Sequence, residues 1–302
     1  MRDKVMIGAD VGGTHFRIGA ADRNGDVRHF RKMKVEEIFR TEDVLGALYA
    51  FLEEYRRNVQ ETDEICGLAV GFPATVNKEK TTVLQAPNVA YMEDLPVVEY
   101  LTEKMGLPVW IDRDVCMTVC ADKKMLGIGD CEILTACYFG TGIGNVICIN
   151  GKPLSGRDGV AGELGHIPVD GSGELCGCGN VGCMENLAGG KYLAKLCREK
   201  FTGVPIGELF TRCSDTPEIR QFIDRMAMTV ATEVNIVNPD PMIIGGGVPD
   251  MKNFPKELLE ERIRFYTRKP YPERSLHLIF AENRGDKSVA GAALYAWDKY
   301  RG

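Results

Sequence analysis

Two stretches of the chain share one hydrophobic pattern, in which an apolar run, a turn of glycine and threonine, and a second apolar run follow one another. The first stretch is KVMIGADVGGTHFRIGAADRNGDV near the start, and the second, EILTACYFGTGIGNVICINGKPL, begins at Glu132. An Asn-Gly step, typical of a tight hairpin turn, follows the second apolar run in each copy, at Asn24-Gly25 and Asn150-Gly151. Because one hairpin occurs twice, the pattern predicts two related domains.

Helical and strand patterns alternate through the rest of the chain. Apolar residues recur on one helical face between Val44 and Tyr55, and the apolar strands EICGLAVG and PVWID follow. A longer helix is predicted from Pro217 to Asn238, and the strand MII after it ends at Gly245-Gly246-Gly247. This alternation predicts an α/β fold.

The last predicted helix, Ser288 to Tyr300, bears on how the domains are divided. We expect it to pack back on the domain of the first hairpin. The sequence therefore predicts a small domain of residues 1–115 plus 288–302, and a large domain of residues 116–287 that carries the cysteine-rich loop.

Length and charge exclude several classes of protein. The chain has 302 residues, 44% of them hydrophobic, which is enough for a large core, and its net charge of −6 argues against a nucleic-acid partner. No window approaches the roughly eighteen apolar residues of a membrane span, and MRDKVMIGAD lacks an apolar signal region. We expect a cytoplasmic protein whose isolated thiols are small core residues, namely Cys66, Cys116, Cys137 and Cys148.

The segment that begins at His166 carries the strongest chemical signal. Cys176, Cys178 and Cys183 have the spacing C-x-C-x4-C, and His166 lies ten residues before the first of them. Three thiols and one imidazole can form a complete tetrahedral shell for structural zinc. The alternative is three reduced thiols on a surface loop. A metal ion here would also fix the positions of Glu163 and Glu185, the acidic residues on the two sides of the loop.

The turns of the two hairpins are candidates for phosphate binding. Gly12, Gly13 and Thr14 form the first turn, and Gly140-Thr141-Gly142-Ile143-Gly144 forms the second. Glycine lets backbone N–H groups approach phosphate oxygens, and threonine hydroxyls add donors. Each turn alone could be a plain hairpin, but the pair favours a nucleoside triphosphate. Neither turn is a Walker motif, because no Gly-Lys-Ser/Thr follows.

Two further positions fit the same ligand. Asp10 ends the apolar strand before the first turn, where a carboxylate could orient Mg²⁺ through water. Gly245-Gly246-Gly247 follows a strand, and bare backbone there could lie against adenine or ribose. This last signal is weak by itself.

Asp114 lies at the carboxyl end of the strand PVWID and directly before a helical pattern. A carboxylate beyond a strand end can accept the proton of a substrate hydroxyl during phosphoryl transfer. The competing role is a helix N-cap, for which aspartate is a favoured residue. Asp112, two residues earlier, leaves the choice open at this point.

Taken together, the motifs resemble the ROK family of bacterial sugar kinases and repressors, collinearly over nearly the whole chain. The specific part is the combination of Gly162-Glu163-Leu164-Gly165-His166 with CGCGNVGCME, whereas the glycine turns alone are common. The resemblance implies an actin-like (ribonuclease H-like), duplicated two-domain sugar kinase fold with ATP and sugar in the cleft. It also implies ATP and Mg²⁺ as cofactors, structural Zn²⁺ and, as for other ROK kinases, a homodimer.

Individual roles also follow from the resemblance. The residues matching Glu163 and His166 hold sugar hydroxyls in the family, the histidine is also a zinc ligand, and the glutamate matching Glu185 adds a contact. Asn88 matches a sugar-binding asparagine. Asp114 matches the catalytic aspartate, which favours the base over the cap.

Two departures from the family pattern concern the sugar. Most ROK glucokinases have Asn-Asp where this chain has Arg113-Asp114, and Gly-x-Pro-Gly where it has Gly71-Phe72-Pro73-Ala74. A longer, charged, planar donor at Arg113 should change which epimer fits. Arg113 and Ala74, both counted as substrate-binding residues, are similar to those of D-allose kinases. The alternative for Arg113 is an ion pair with Asp112 or a nearby carboxylate.

These residues predict transfer of the ATP γ-phosphoryl group to the 6-hydroxyl of a hexose, with D-allose as the expected substrate. The runner-up is a kinase for glucose, fructose or N-acetylmannosamine. ROK repressors carry a helix-turn-helix segment before the first strand, which begins here about three residues from Met1, so we expect no DNA-binding regulator. A sugar sensor without DNA binding would not need two phosphate loops and Asp114.

Overall fold

The computed structural model describes residues 2–86, 89, 91–169 and 173–300. The chain divides into two compact units. Unit 1 comprises Met1–Gly129, Ser155–Ala161 and Arg284–Gly302, and unit 2 comprises Asp130–Leu154 and Gly162–Asn283. Residues 116–129, 155–161 and 284–287 thus belong to unit 1, whereas the division predicted from the sequence assigned them to the large domain.

Strands and helices follow one another along the chain. The strands are β1 (Asp3–Val11), β2 (His15–Ala21), β3 (Val27–Lys34), β4 (Asp63–Phe72), β5 (Thr75–Val76), β6 (Val83–Gln85), β7 (Glu93–Leu95), β8 (Val109–Arg113), β9 (Ile133–Phe139), β10 (Ile143–Ile149), β11 (Lys152–Pro153), β12 (Met242–Gly245) and β13 (Leu278–Phe280). The helices are α1 (Val35–Ile38), α2 (Val44–Gln60), α3 (Val97–Met105), α4 (Asp114–Met125), α5 (Glu185–Ala188), α6 (Gly190–Glu199), α7 (Leu209–Arg212), α8 (Pro217–Val237), α9 (Lys256–Tyr266) and α10 (Lys287–Lys299). Short 3-10 turns cover Leu164–His166, Ile206–Glu208 and Glu273–Ser275.

The main sheet of unit 1 has the order β3-β2-β1-β4-β8, and that of unit 2 has the order β11-β10-β9-β12-β13. In unit 1, β1 pairs antiparallel with β2 and parallel with β4. In unit 2, β9 pairs antiparallel with β10 and parallel with β12. The two sheets therefore have the same topology. The predicted hairpin therefore occurs once in each unit, and the α/β fold class is confirmed.

Buried residues alternate along β1 and divide between two layers of unit 1. Ile7 and Ala9 face the core that includes Leu48 and Leu52 of α2, whereas Met6 faces α10. On that second side, α10 packs closely on β1, because a Cβ on Gly8 would overlap the backbone of α10. The predicted terminal helix is thus present and packs on the first hairpin.

Helix α8 forms the centre of unit 2. Its apolar stripe, including Phe222, Met226 and Val230, is fully buried with the inner face of β9 and β12. Thr216 caps the N-terminus by accepting from Ile219 N, and Asn238 ends the helix in a left-handed conformation. These boundaries confirm the helix predicted from Pro217 to Asn238.

The two Asn-Gly steps differ. Asn150 and Gly151 both have positive φ, 49° and 76°, as a two-residue hairpin turn of type I′ requires. In the first copy only Gly25 has positive φ, and the Asp22 side chain accepts from Asn24 N and Asp26 N. The first turn is therefore longer than the sequence pattern predicted.

Among the residues that the structure describes, no helix combines the length and apolar character needed to span a membrane.

Candidate functional site

The four predicted metal ligands lie together in unit 2. The ligand atoms of His166, Cys176, Cys178 and Cys183 are all within 4.8 Å of one another. Cys176 Sγ lies 3.6 Å from His166 Nδ1, and Cys178 Sγ lies 3.7 Å from Cys183 Sγ. The spacing in the sequence thus translates into a compact cluster.

A tight loop brings the cysteines to the histidine. Cys176 N donates to Asn180 O and Gly179 N donates to Cys176 O, so the chain reverses between the second and third thiols. Gly179 has a φ of 92°, a conformation that favours glycine. An isolated bridge between Pro168 and Cys183 then returns the chain to the histidine segment.

The Cys176–His166 and Cys178–Cys183 distances match the edges of a tetrahedral metal site. With metal–sulfur bonds of about 2.3 Å and metal–nitrogen bonds of about 2.0 Å, tetrahedral edges are about 3.8 Å between two sulfurs and about 3.6 Å between sulfur and nitrogen. Burial together with the neighbouring thiols raises the pKa of Cys183 to about 12, and a cation would offset this crowding. Three thiolates and one imidazole are the donor set that zinc prefers.

The Gly162–His166 turn lies on one face of β10. A Cβ on Gly165 would lie 2.9 Å from Ile143 O, and a Cβ on Gly162 would lie 2.8 Å from Asn145 Oδ1. Ile143 and Asn145 are two residues apart, so they face the same side of the strand. His166 Nδ1 faces the thiols, and its Nε2 lies 3.7 Å from Glu163 Oε2. The structure therefore brings the predicted sugar-binding pair together beside the metal cluster.

Glu185 links the cysteine loop to the second glycine turn. It is the first residue of α5, two residues after Cys183, and its Oε2 accepts from Ile143 N at 2.9 Å. A Cβ on Gly142 would overlap this carboxylate. The sequence predicted a sugar contact for Glu185 but not this contact with the backbone of the turn.

The turn that contains Thr141 is backed by the start of α6. Gly190 N donates to Gly140 O at 2.8 Å, and Lys191 N donates to Thr141 O at 3.0 Å. Gly140 N donates to Gly142 O across the turn. Thr141 is exposed and Gly140, Gly142 and Gly144 are partly exposed, so the loop can be reached by a ligand.

The Gly245–Gly247 turn lies at the same sheet edge. β12 pairs parallel with β9, which places Gly245 beside Tyr138, at the end of the strand that leads into Gly140. Gly246 has a φ of 99°, and a Cβ there would contact Phe139 O, so glycine is required. Gly247 is exposed, and a Cβ there would meet no atom within 4 Å. Both glycine turns of unit 2 therefore border one edge.

Asp10 of unit 1 is a buried carboxylate with two side-chain donors. Arg17 Nη1 donates to its Oδ2 at 3.0 Å and Ser288 Oγ at 2.8 Å. Burial raises the pKa of Asp10, and Arg17 opposes this shift. The hairpin register, in which Asp10 faces Arg17, could have indicated the first partner. Ser288 lies 278 residues away in sequence, and no local pattern indicated it.

The turn after β1 is tight and open to solvent. Gly12 N donates to His15 O at 2.9 Å, and a Cβ on Gly12 would lie 2.8 Å from the same oxygen. Gly13 and Thr14 are exposed. The geometry leaves these two residues accessible to an anionic ligand.

Asp114 is the first residue of α4, and Arg113 occupies the N-cap position. Asp114 is partly exposed, and its Oδ1 accepts from Val115 N at 2.8 Å. Its position is therefore one residue inside the helix, and the N-cap alternative considered for Asp114 does not describe it.

Arg113 contacts the segment that leads to Glu163. The residue is 5% exposed, and its Nη2 donates to Ala161 O at 2.9 Å, two residues before Glu163 in the chain. Asp112 is bonded by Lys80 Nζ at 2.7 Å and accepts from Arg113 N. Asp112 thus holds the Arg113 backbone, while the guanidinium bonds a carbonyl.

Ala74 follows β4 beside the strand that ends in Arg113. The parallel register pairs Phe72 with Arg113, so the Pro73-Ala74 turn continues next to β8. The two departures from the family pattern therefore lie at the end of β8 and in the turn that follows its neighbour β4. Asn88 lies outside the described residues.

Three comparisons with known proteins bear on this arrangement. The sequence profile of the ROK family matches residues 6–299. The xylose repressor of Caldicellulosiruptor bescii is 28% identical over 282 residues, which cover 86% of this chain and 69% of the repressor. The N-acetylmannosamine kinase of Salmonella heidelberg (strain SL476) is 27% identical over 294 residues, which cover 95% of this chain and 96% of the kinase.

The fold is also similar to solved structures. The ROK family glucokinase from Streptomyces griseus, crystallised with glucose and AMPPNP, has a TM-score of 0.78 and 25% identity, over 96% of this chain and 98% of the glucokinase. This similarity agrees with the duplicated sheets and confirms the actin-like sugar kinase fold. Since the family profile covers nearly the whole chain, the protein belongs to the ROK family.

Proposed function

We propose that the protein is an ATP-dependent sugar kinase that phosphorylates the 6-hydroxyl of a hexose. The observation that carries the proposal is the edge of unit 2 where Gly140–Gly144 and Gly245–Gly247 meet, because two accessible glycine turns at one strand end suit a nucleotide. The similarity to a glucokinase crystallised with AMPPNP supports the same assignment. A protein that only sensed sugar would have no use for this edge.

Asp114 is the proposed general base. It follows the carboxyl end of the parallel strand β8, is partly exposed, and its Oδ1 accepts from Val115 N. Phosphoryl transfer needs such a carboxylate to orient the attacking hydroxyl and accept its proton. Mg²⁺ would arrive with ATP, and Asp10 is the carboxylate proposed to orient it through water.

Glu163, His166 and Glu185 are the proposed sugar contacts of unit 2. Their positions depend on the cysteine loop, because His166 is a member of the cluster and Glu185 follows Cys183 by two residues. We propose zinc as the ion that His166, Cys176, Cys178 and Cys183 would hold, with four protein ligands and no open position for a reacting water. The ion would be a supporting element rather than the reaction centre.

D-allose is the proposed substrate, and Arg113 is the residue that distinguishes it from glucose. D-allose is glucose inverted at carbon 3. The guanidinium at Arg113 is longer than the asparagine usual in ROK glucokinases, and its hydrogen bond to Ala161 O fixes its direction. A fixed, charged donor favours one orientation of a hydroxyl over its epimer.

The experiment is a coupled ADP-release assay over a panel of aldohexoses, fructose and N-acetylhexosamines. D-allose should give the highest kcat/KM, and equal or faster turnover of glucose or N-acetylmannosamine would refute the specificity while leaving the kinase intact. Arg113→Asn should move the preference toward glucose by about tenfold. Arg157→Asn, a change of the same kind at a side chain that is 94% exposed, is the control.

Asp114→Asn tests the base. We expect turnover to fall at least 10³-fold while sugar binding measured by calorimetry persists. Asp130→Asn changes an exposed carboxylate in the same way and should leave turnover unchanged. Substantial turnover of the Asp114 variant would remove this residue from the base role.

The alternative is a sugar-responsive regulator, because a xylose repressor is among the relatives. The same assay separates the two. A regulator would bind a sugar in calorimetry but release no ADP from ATP with any member of the panel.

A further inference from the structure

A buried polar pair lies in the core of unit 2, apart from the residues already assigned. Asn145 on β10 and Glu233 on α8 are each 3% exposed. Asn145 Nδ2 lies 2.8 Å from both carboxyl oxygens of Glu233 and also donates to Ala136 O at 3.1 Å. Because Ala136 O can only accept, the amide nitrogen must point this way, and the amide oxygen points to the other side.

The other side of the amide is occupied by Gly162. Asn145 Oδ1 is buried and has no hydrogen-bond partner among the residues that the structure describes. A Cβ on Gly162 would lie 2.8 Å from this oxygen and 3.5 Å from Asn145 O. Gly162 has a φ of 84°. The turn at Gly162 therefore packs directly against Asn145.

The turn continues directly into the sugar-binding residues. Leu164 N donates to Gly162 O at 2.8 Å, and His166 N donates to Glu163 O at 3.0 Å. A shift of Gly162 would therefore displace Glu163, whose carboxylate faces His166. The donation of the Asn145 amide to the Glu233 carboxyl group thus fixes the side chain on which the whole turn rests.

Packing alone does not account for this pair. The neighbouring core positions of α8, such as Val230 and Val234, are apolar and fully buried. A buried carboxyl group costs free energy that a leucine of similar volume would not. Burial also raises the pKa of Glu233 to about 8, against the opposing hydrogen bond from Asn145. The core thus carries a polar pair where an apolar pair would be more stable.

We propose that Glu233 is a positioning residue for sugar binding, which orients the Asn145 amide and through it the Gly162–His166 turn. The inference rests on the proposed sugar kinase function. Among the described hydrogen bonds, Glu233 accepts from Asn145 and from no residue of the turn, so its effect would pass through Asn145.

The test compares four variants with the wild type: Glu233→Leu, Glu233→Gln, Asn145→Ala and the double variant Glu233→Leu/Asn145→Ala. Leucine cannot accept from Asn145, whereas glutamine keeps an acceptor oxygen. We expect KM for the sugar to rise about tenfold in Glu233→Leu and Asn145→Ala, with KM for ATP changed less than twofold. Glu233→Gln should stay within about threefold of the wild type, and the double variant should be no worse than Asn145→Ala alone.

Thr229→Val is the matched control. Thr229 is buried one turn earlier on α8 and bonds only to Arg225 O of its own helix among the described contacts, so its loss should leave KM for the sugar unchanged. A sugar KM of Glu233→Leu within twofold of the wild type would overturn the proposal. So would multiplicative effects in the double variant, because they would show that Glu233 does not act through Asn145.

Hydrogen exchange followed by mass spectrometry separates this proposal from the kinase assignment. The peptide covering residues 160–168 should exchange faster in Glu233→Leu than in the wild type or Thr229→Val, since the amides of Leu164 and His166 lose their fixed acceptors. Unchanged exchange would contradict the positioning role even in an active kinase. Faster exchange in a protein that phosphorylates no sugar would retain the coupling and refute only the kinase function.

Discussion

Replacing Glu233 by glutamine should remove a pH dependence from the stability of the protein. Burial raises the pKa of this carboxyl group from its usual value near 4.5 to about 8. The folded state then keeps a proton that the unfolded chain has already released. Stability should therefore fall as pH rises from about 4.5 to about 8, and change no further above that range.

The magnitude follows from the size of the shift. A difference of roughly 3.5 pKa units corresponds to about 5 kcal/mol at full ionisation, of which about 3 kcal/mol is lost between pH 5.5 and pH 8.5. For a chain of this length, 3 kcal/mol changes Tm by about 5 °C. Burial, and then the Glu233 charge, raise the pKa of Cys137, the titratable group that faces Glu233, well above its usual value. Its thiol therefore stays protonated in the folded state of both proteins across this range, and its small contribution cancels in the comparison.

The assay is thermal unfolding of the wild type and Glu233→Gln across this pH range. Other titrating groups contribute equally to both proteins, so the difference in Tm isolates Glu233. The wild type should lose about 5 °C relative to the variant between pH 5.5 and pH 8.5. A Tm difference that is the same at every pH would refute a raised pKa at this position.

Three other substitutions probe other parts of the structure. Cys178→Ala should lower the zinc content measured by elemental analysis, weaken sugar binding and make Tm insensitive to a chelator; unchanged sugar affinity after zinc removal would refute the supporting role of the ion. Gly162→Ala should destabilise unit 2 by about 2 kcal/mol and raise KM for the sugar, because its φ of 84° and the nearby Asn145 oxygen both disfavour a side chain; a wild-type Tm in denaturation would contradict this. Lys287→Met should cost about 3–5 kcal/mol by leaving Asp122 charged in the core of unit 1, and Asp122→Leu in the same chain should recover much of it in urea titrations.

The hairpins and the metal cluster could be predicted because their signals are local. The apolar runs of β1 and β9 and the spacing of the three cysteines lie within short windows, and a tight loop turns that spacing into proximity. Short strands such as β5 and β7, of two and three residues, have too few positions to show a period, and the sequence did not indicate them.

Contacts between distant residues could not be predicted in this way. Asn145 and Glu233 are 88 residues apart, and Arg113 and Ala161 are 48 apart. Each residue alone has a simpler interpretation: Glu233 would be an exposed position of α8, and Arg113 a partner for Asp112. Only the folded structure shows that Glu233 is buried and that Arg113 donates to the carbonyl oxygen of Ala161.

One strand of unit 2 supports both halves of the proposed reaction. The N–H of Ile143 donates to Glu185, which packs against Gly142 of the second glycine turn. Asn145, two residues later, packs against Gly162. Because successive residues of a strand face opposite sides, inserting or deleting a single residue between Ile143 and Asn145 would turn the Asn145 side chain away while leaving the Ile143 N–H in place. The strand should therefore tolerate substitution far better than any change in length. Variants of altered sugar preference are better sought at Arg113, which ends β8, or at Ala74 in the turn after β4, because neither belongs to the nucleotide edge of unit 2.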